Sequence, residues 1–182
     1  MVTLESQPLY FEQGIEPTFA TPSGKIELYS TRLAEHKFDP IPRYKAHAEP
    51  PPGYYRLLYG RSPVHTFART TNNPVLTQLQ SENEVWINAQ VARDLGVKHG
   101  EYVLLINQDG VESQKIKAKV TQRIRSDCVY MVHGFGHTDK RLTIGYNKGA
   151  DDQRLITRYE LDPIMGGSGM RVNFVTIRKE AA

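Results

Sequence analysis

The chain has 182 residues, 39% of them apolar, with a formal net charge of +3 and a mean hydropathy of −0.50. That length suits one ordinary domain plus an arm, and the low apolar fraction calls for long polar loops around a modest core. Interspersed acids and bases lack the one-sided basic footprint of a nucleic-acid binder, no apolar run approaches membrane-spanning length, and the lone Cys128 cannot by itself build a disulfide framework, a zinc site or an iron–sulfur cluster.

The first residues, Met1-Val2-Thr3-Leu4-Glu5-Ser6, lack the basic start and apolar core of a signal peptide. Residues 1 to 53 read as an extended arm. Pro8, Pro17, Pro22, Pro40, Pro42, Pro50, Pro51 and Pro52 remove backbone donors and discourage regular structure. Within the arm, Thr21-Pro22-Ser23-Gly24 predicts a tight turn and Lys25 to Tyr29 a short alternating strand. Ser30 caps a brief helix over Thr31 to His36. The arm is either a linker or a segment that packs against another domain.

From Tyr54 the elements become short and dense. Tyr54 to Tyr59 is a strand. Pro74 to Leu79 makes one or two helical turns capped by Asn73. Glu84 to Ile87 is a strand, and Asn88 caps a helix whose Ala89, Val91, Ala92 and Leu95 share a face, with Gly96 as its stop. Tyr102 to Asn107 is a strand, Gln108-Asp109-Gly110 a hairpin turn, and Val111 to Val120 a half-buried strand whose Lys115, Lys117 and Lys119 face water. Val129 to Val132 and Val172 to Ile177 complete the strands, with a long polar stretch between them. Short strands, one well-capped helix and long connections predict a mainly β protein, a small closed barrel with a few short inserted helices, rather than a parallel α/β sheet. Trp86, between Val85 and Ile87, is expected in the core, and Cys128 is expected to be a buried, unreactive thiol.

Three segments carry candidate chemistry. Gly60-Arg61-Ser62-Pro63-Val64-His65-Thr66, continuing to Arg69-Thr70-Thr71-Asn72-Asn73, must turn sharply after a strand. It displays a guanidinium, an imidazole, hydroxyls and amides that suit a large anionic or heteroaromatic ligand such as a nucleotide or a pterin. The bland alternative is a polar loop that caps its own backbone. His133-Gly134-Phe135-Gly136-His137 lets backbone N–H groups converge on an anion or a ring edge. Its His-x-x-x-His spacing, off a helix and without a third ligand, does not make a metal site. Gly145 to Leu155, with Asn147 and Asp151-Asp152, followed by Asp162-Pro163-Ile164 and Gly166-Gly167-Ser168-Gly169, is a loop of unusual turns. It serves either a ligand or a plain connection, and no partner base marks the aspartates as catalytic.

In order and spacing these segments resemble the C-terminal molybdopterin-dinucleotide-binding domain of the dimethyl sulfoxide reductase family, closest to the catalytic subunits of thiosulfate and polysulfide reductases. Phe19 to Tyr29 looks like the lead-in segment. Gly60-Arg61 with His65-Thr66 looks like the first cofactor loop and His133 to Gly136 like the second. Val85 to Ala92, Leu95-Gly96-Val97, Gly100 to Val103 and Asp109-Gly110 look like the central strand–helix–strand–hairpin, and Leu155, Asp162-Pro163 and the final strand like the close. The resemblance implies a double-psi β-barrel over residues 54–182, preceded by a connector, 1–53, from another domain. It implies contacts from Gly60, Arg61, His65, Thr66, Thr70, His133, Gly134, Gly136, Asn147, Asp152 and Asn173 to molybdopterin guanine dinucleotide. No catalytic residue and no metal ligand are expected among them; molybdenum or tungsten is carried by the parent enzyme.

Family catalytic subunits are several times longer and carry a cysteine cluster that one cysteine cannot supply. The chain is therefore expected to be an excised C-terminal piece, inactive alone and retaining no cofactor. Its expected partners are the other domains of the parent subunit, an iron–sulfur electron-transfer subunit and a membrane anchor. No nucleic acid and no membrane insertion are expected, and the resemblance implies a periplasmic parent. Two other readings compete: a standalone dinucleotide-binding subunit of a formate- or formylmethanofuran-type dehydrogenase, and a non-enzymatic double-psi barrel that binds protein or nucleic acid through the Lys115–Lys119 face.

Overall fold

A computed structural model describes residues 19–41 and 43–180; the N-terminal hexapeptide, Pro8, Pro17 and Pro42 of the sequence reading lie outside the described residues. Two compact units are present, Met1–Ala46 and His47–Ala182. In the first, α1 (Thr31–Glu35) starts at Ser30, whose hydroxyl accepts from the Leu33 N–H as the sequence predicts. The strand expected over Lys25 to Tyr29 does not form. No described segment offers it a ladder, and the Thr21 hydroxyl instead donates to the Lys25 carbonyl while the Glu27 carboxylate accepts from the Ser23 N–H. Ile26 and Leu28 are left exposed.

The second unit is built on eight strands: β1 (Tyr55–Gly60), β2 (Glu84–Asn88), β3 (Tyr102–Asn107), β4 (Ile116–Thr121), β5 (Cys128–Val132), β6 (Glu160–Leu161), β7 (Ser168–Gly169) and β8 (Phe174–Lys179). Six close into a barrel in the order β1-β5-β2-β4-β3-β8, and β6 and β7 form a separate two-stranded ribbon. The pairs β1/β5 and β2/β4 are parallel and all other barrel pairs antiparallel, the double-psi arrangement. Alternation drives closure. Val85, Ile87, Val103, Leu105, Ile116, Ala118, Val129, Met131 and Val175 point inward with Leu57, all fully buried. Each such Val, Leu or Ile contributes about 1.5–3 kcal/mol by leaving water. The short helices α2 (Leu76–Leu79) and α3 (Ala89–Asp94) lie in the connections, and α3 buries Val91 and Ala92. The Asn73 side chain accepts from the Val75 and Leu76 N–H groups ahead of α2, and the Asn88 side chain from the Gln90 N–H of α3. Gly96, at φ 64°, takes the left-handed step after α3.

Two expectations need correction. The continuous strand expected over Val111 to Val120 is split: Glu112 makes a single bridge to Ile106, and β4 begins only at Ile116, because the Ser113 hydroxyl turns to accept from the Leu105 N–H and donate to the Gln114 carbonyl while the Gln114 side chain reaches the Gly136 carbonyl. Trp86 is on the outer face of β2, not in the core. It meets Tyr130 edge-on with ring centroids 5.2 Å apart and lies beneath the Lys119 ammonium. Its apolar neighbours Val85 and Ile87 take the inward positions that a period of two allows.

The turn after β3 is tied to the long loop behind it. Asp109 pairs with Arg158 and accepts from the Thr157 hydroxyl, and these partners, Arg158 foremost, hold its carboxyl down at about 2. A carboxyl depressed in the folded state stabilises above its unfolded range, near 3.9, and that contribution is lost as pH falls toward 2. Asp109→Asn is therefore expected to flatten the fall in thermal midpoint between about pH 4 and pH 2, read by circular dichroism melts across that range. An unchanged acid profile would show that the pair contributes nothing. Asp109 is exposed enough for the effect to be small at neutral pH.

Candidate functional site

The parallel pairing of β1 with β5 positions the site. Leu57 faces Val129 and Gly60 faces Val132, so the two strands end side by side, and the His133 N–H donates to the Gly60 carbonyl at 2.8 Å. The loops that follow, from Gly60 and from His133, therefore leave the same end of the barrel. Two clefts open there. One, of about 650 Å³, is lined by Tyr59, Gly60, Arg61, Phe67, His133, Gln153, Met170 and Arg171. The other, of about 460 Å³, shares His133 and Gln153 and adds the Gly134–Asp139 turn, Gln114, Asp151 and Arg154.

The first cleft is cationic, and none of its lining residues is acidic. Arg61 lies over the Phe67 ring at 5.2 Å and Arg171 over Tyr59 at 5.9 Å; neither has a carboxylate partner among the described residues. The Tyr59 hydroxyl is pushed up chiefly by burial, so it stays a neutral donor. His133 presents its ring to both clefts while its Nδ1 is held by Asp152, at 2.9 and 3.0 Å from the two carboxylate oxygens. In the second cleft burial is the main cause raising the Asp151 carboxyl, and the neighbouring Asp152 adds to it.

Glycine is required where the second loop doubles back. At Gly134, φ 97°, a Cβ would sit 2.5 Å from the Phe67 carbonyl carbon and 2.7 Å from the Ala68 nitrogen. At Gly136, φ 77°, it would sit 2.7 Å from the Ala150 carbonyl carbon and closer still to the Asp151 nitrogen. The glycines thus serve close approach between loops rather than bare flexibility.

The other sequence-predicted residues hold these loops in place. His65 is 4% exposed: its Nε2 donates to the Gln80 carbonyl at 2.8 Å and its Nδ1 accepts from the Thr70 hydroxyl at 3.2 Å. The Thr70 hydroxyl oxygen in turn accepts from the Thr66 N–H. Asn173, fully buried, accepts from the N–H groups of Thr157 and Arg158 and from the Gln108 side chain, and donates to the Arg158 and Met170 carbonyls. Asn147, exposed at φ 52°, donates its N–H to the His137 carbonyl. Gly60, Arg61, His133, Gly134 and Gly136 thus line the clefts, and Asp152 stands directly behind them. His65, Thr66, Thr70, Asn147 and Asn173 brace the surrounding loops. Thr66 and Asn147 keep solvent-facing side chains.

His133 and His137 do not converge. The first bonds Asp152, and the Nε2 of the second meets the Thr71 hydroxyl at 2.7 Å. Cys128 is buried, and burial raises its thiol, as expected of an inert cysteine.

Three contributors were not singled out from the sequence. Asn83, fully buried, donates to the Val132 and Ala150 carbonyls and accepts from the Ala150 N–H, pinning the end of β5 to the far side of the second loop. Gln114 donates to the Gly136 carbonyl and accepts from the Asp151 N–H. Arg171 lies in an unpatterned stretch just before β8. Asn83 and Gln114 sit among ordinary polar neighbours, and only their tertiary partners mark them.

Residues 55–174 match the Molydopterin dinucleotide binding domain family, and the chain belongs to it. It is 37% identical, over 74% of its length, to the thiosulfate reductase molybdopterin-containing subunit PhsA of Salmonella typhimurium, and 31% identical, over 87%, to the putative dimethyl sulfoxide reductase chain YnfE of Escherichia coli. These matches cover 17% and 21% of the two relatives, so the chain spans about a fifth of their length. Among solved structures, acetylene hydratase from Pelobacter acetylenicus shares the fold with a TM-score of 0.67 at 19% identity, over 90% of this chain and 24% of that one. The cofactor bound by this family is a molybdopterin dinucleotide. The residues present fit it: two guanidiniums lining one cleft beside a glycine turn, with backbone and imidazole donors, suit a pyrophosphate and a polar heterocycle. No helix among the described residues is long and apolar enough to cross a membrane.

Proposed function

We propose that the chain is the dinucleotide-binding domain, residues 54–182 with a connector before it, of a larger oxidoreductase that reduces a sulfur compound such as thiosulfate or polysulfide. Its cofactor would be molybdopterin guanine dinucleotide carrying molybdenum. The observation that carries this reading is the cationic cleft between the two loops that leave parallel β1 and β5, lined by Arg61, Arg171, His133 and Gly60. The similarity to the thiosulfate reductase subunit supports the substrate class. When bound, the molybdenum centre would supply the redox chemistry. This chain's residues would bind and orient the dinucleotide. Arg61 and Arg171 face its phosphates, the His133–Gly136 turn approaches its polar edges, and His65, Thr66, Thr70, Asn147 and Asn173 keep the loops in register.

In this reading the chain alone does not turn over substrate. Its partners are the remaining domains of the catalytic subunit, an electron-transfer subunit and an anchor, in a periplasmic complex. The polyanion-binding alternative has less support. Lys115, Lys117 and Lys119 each pair with a glutamate, Glu180, Glu82 and Glu84 respectively, so the face presents little free positive charge.

The decisive experiment purifies the longer enzyme containing this sequence and measures its molybdenum, pterin and GMP content together with reduction of thiosulfate, polysulfide and tetrathionate. The expected result is a bound guanine dinucleotide with molybdenum and activity on at least one of the three. An enzyme free of pterin would overturn the reading, and one loaded but active only on non-sulfur substrates would overturn the substrate class.

A further inference from the structure

Asp152 is fully buried and spends both carboxylate oxygens on one neighbour, Nδ1 of His133; its remaining contact is the Gln153 side-chain amide at 3.3 Å. A carboxylate only accepts, so Nδ1 carries the proton and donates. That fixes the ring: Nε2 is the free nitrogen, without a hydrogen-bond partner among the described residues, on a side chain 26% exposed at the wall shared by both clefts. Phe67 holds the ring edge-on at 5.6 Å and also lies under Arg61, so the imidazole and the guanidinium share one aromatic support. Arg171 lines the same cleft.

Resting on the cofactor reading above, we propose that His133, Arg61 and Arg171 form a proton-coupled phosphate subsite in which Asp152 is the positioning residue. A neutral His133 held in this way turns a lone pair toward the cleft, which repels a phosphate oxygen. The imidazolium turns an N–H toward it. Binding the anion therefore takes up one proton at Nε2.

The charged and titratable groups around the ring come from every element packed on it. Tyr59 and Arg61 come from the end of β1, Asp151, Asp152 and Arg154 from the 150–154 segment, Arg171 from the approach to β8, and His137 and Asp139 from its own loop. The three arginines oppose a further cation in the empty cleft and the aspartates favour it. An arriving phosphate removes the opposition, which couples anion to proton.

The test titrates this chain with diguanosine 5′,5′-diphosphate, a diester whose phosphates do not titrate between pH 5.5 and 8, at low salt, following binding and fold by NMR. The expected affinity is about tenfold higher at pH 5.5 than at pH 8. His133→Gln is expected to flatten that dependence, and Arg171→Ala to weaken binding at every pH while preserving it. Asp152→Asn keeps an acceptor but removes the charge, so it is expected to displace the profile toward lower pH. The ¹⁵N shifts of neutral His133 in the unaltered chain should report a proton on Nδ1, a readout that needs no variant to fold.

A pH-independent affinity, no binding at any pH, an unmoved profile in Asp152→Asn, or a neutral ring protonated at Nε2 would each overturn the proposal. These failures leave the cofactor reading standing wherever the longer enzyme carries molybdopterin, whereas a pterin-free enzyme removes that reading by itself.

Discussion

Alanine in place of Gly136 is expected to cost about 3 kcal/mol or more, lowering the thermal midpoint by about 6–12 °C. Two terms add. The residue has φ 77°, a conformation that costs an L side chain about 1 kcal/mol or more. The new methyl would also lie inside contact distance of the Ala150 carbonyl carbon and the Asp151 nitrogen, which are backbone atoms that no rotamer change can move aside. Gly110→Ala separates the terms. That glycine has a similar φ of 80°, but its Cβ would meet nothing within 4 Å, so only the left-handed backbone cost of about 1 kcal/mol applies. Melts of both variants followed by circular dichroism decide it. Equal losses at the two positions would mean that the loop yields at Gly136 and that the 136/150 contact is not a fixed wall.

That wall explains which parts of the site were readable from sequence. The glycines of His133-Gly134-Phe135-Gly136 stand out as a pair flanking an aromatic residue, and so does Gly60-Arg61 after an apolar run. Strand alternation and the Asn88 cap, with the Gly96 stop, are local signals that the physics of a single segment determines, and most barrel strands formed within a residue or two of their expected bounds. The failures have a common cause, which is that the outcome depended on a partner. Lys25 to Tyr29 alternates like a strand yet finds no ladder among the described residues. Val111 to Val120 reads as one strand yet breaks where Ser113 and Gln114 turn to bond Leu105 and the Gly136 loop. Trp86 is apolar yet outward, because period two leaves alternate positions of a strand on opposite faces and Val85 and Ile87 take the inner one. Asn83, Gln114 and Asn173 gain their roles only through bonds to residues far along the chain, and their identities carry no local pattern. Asp152 is the instructive intermediate. The adjacent Asp151-Asp152 pair is visible in the sequence, but burial of one carboxylate behind an imidazole separates their roles: Asp151 lines a cleft and Asp152 orients His133.

Arg61→Ala in the longer enzyme is expected to weaken cofactor retention by about 10- to 150-fold while leaving the barrel folded. The size follows from the bonds that an exposed, forked guanidinium can make to a phosphate, worth about 1.5–3 kcal/mol for a charge-assisted contact. Little stability should be lost with it. The side chain is exposed, has no carboxylate partner among the described residues, and rests only on the Phe67 ring, a contact worth about 0.5–1 kcal/mol at such a site. At Gly60, by contrast, a Cβ would sit 2.8 Å from the Tyr130 hydroxyl oxygen, so a substitution one residue earlier would also displace the Tyr130 side chain and blur the reading. Arg61→Lys keeps the charge but not the fork, and should fall between the native enzyme and the alanine variant if two parallel bonds to phosphate are made. Pterin and molybdenum content after gel filtration, set beside far-UV circular dichroism, gives the answer. Full occupancy in Arg61→Ala would count against a cofactor role for the first loop, and equal retention by the lysine and native enzymes would reduce Arg61 to a point charge.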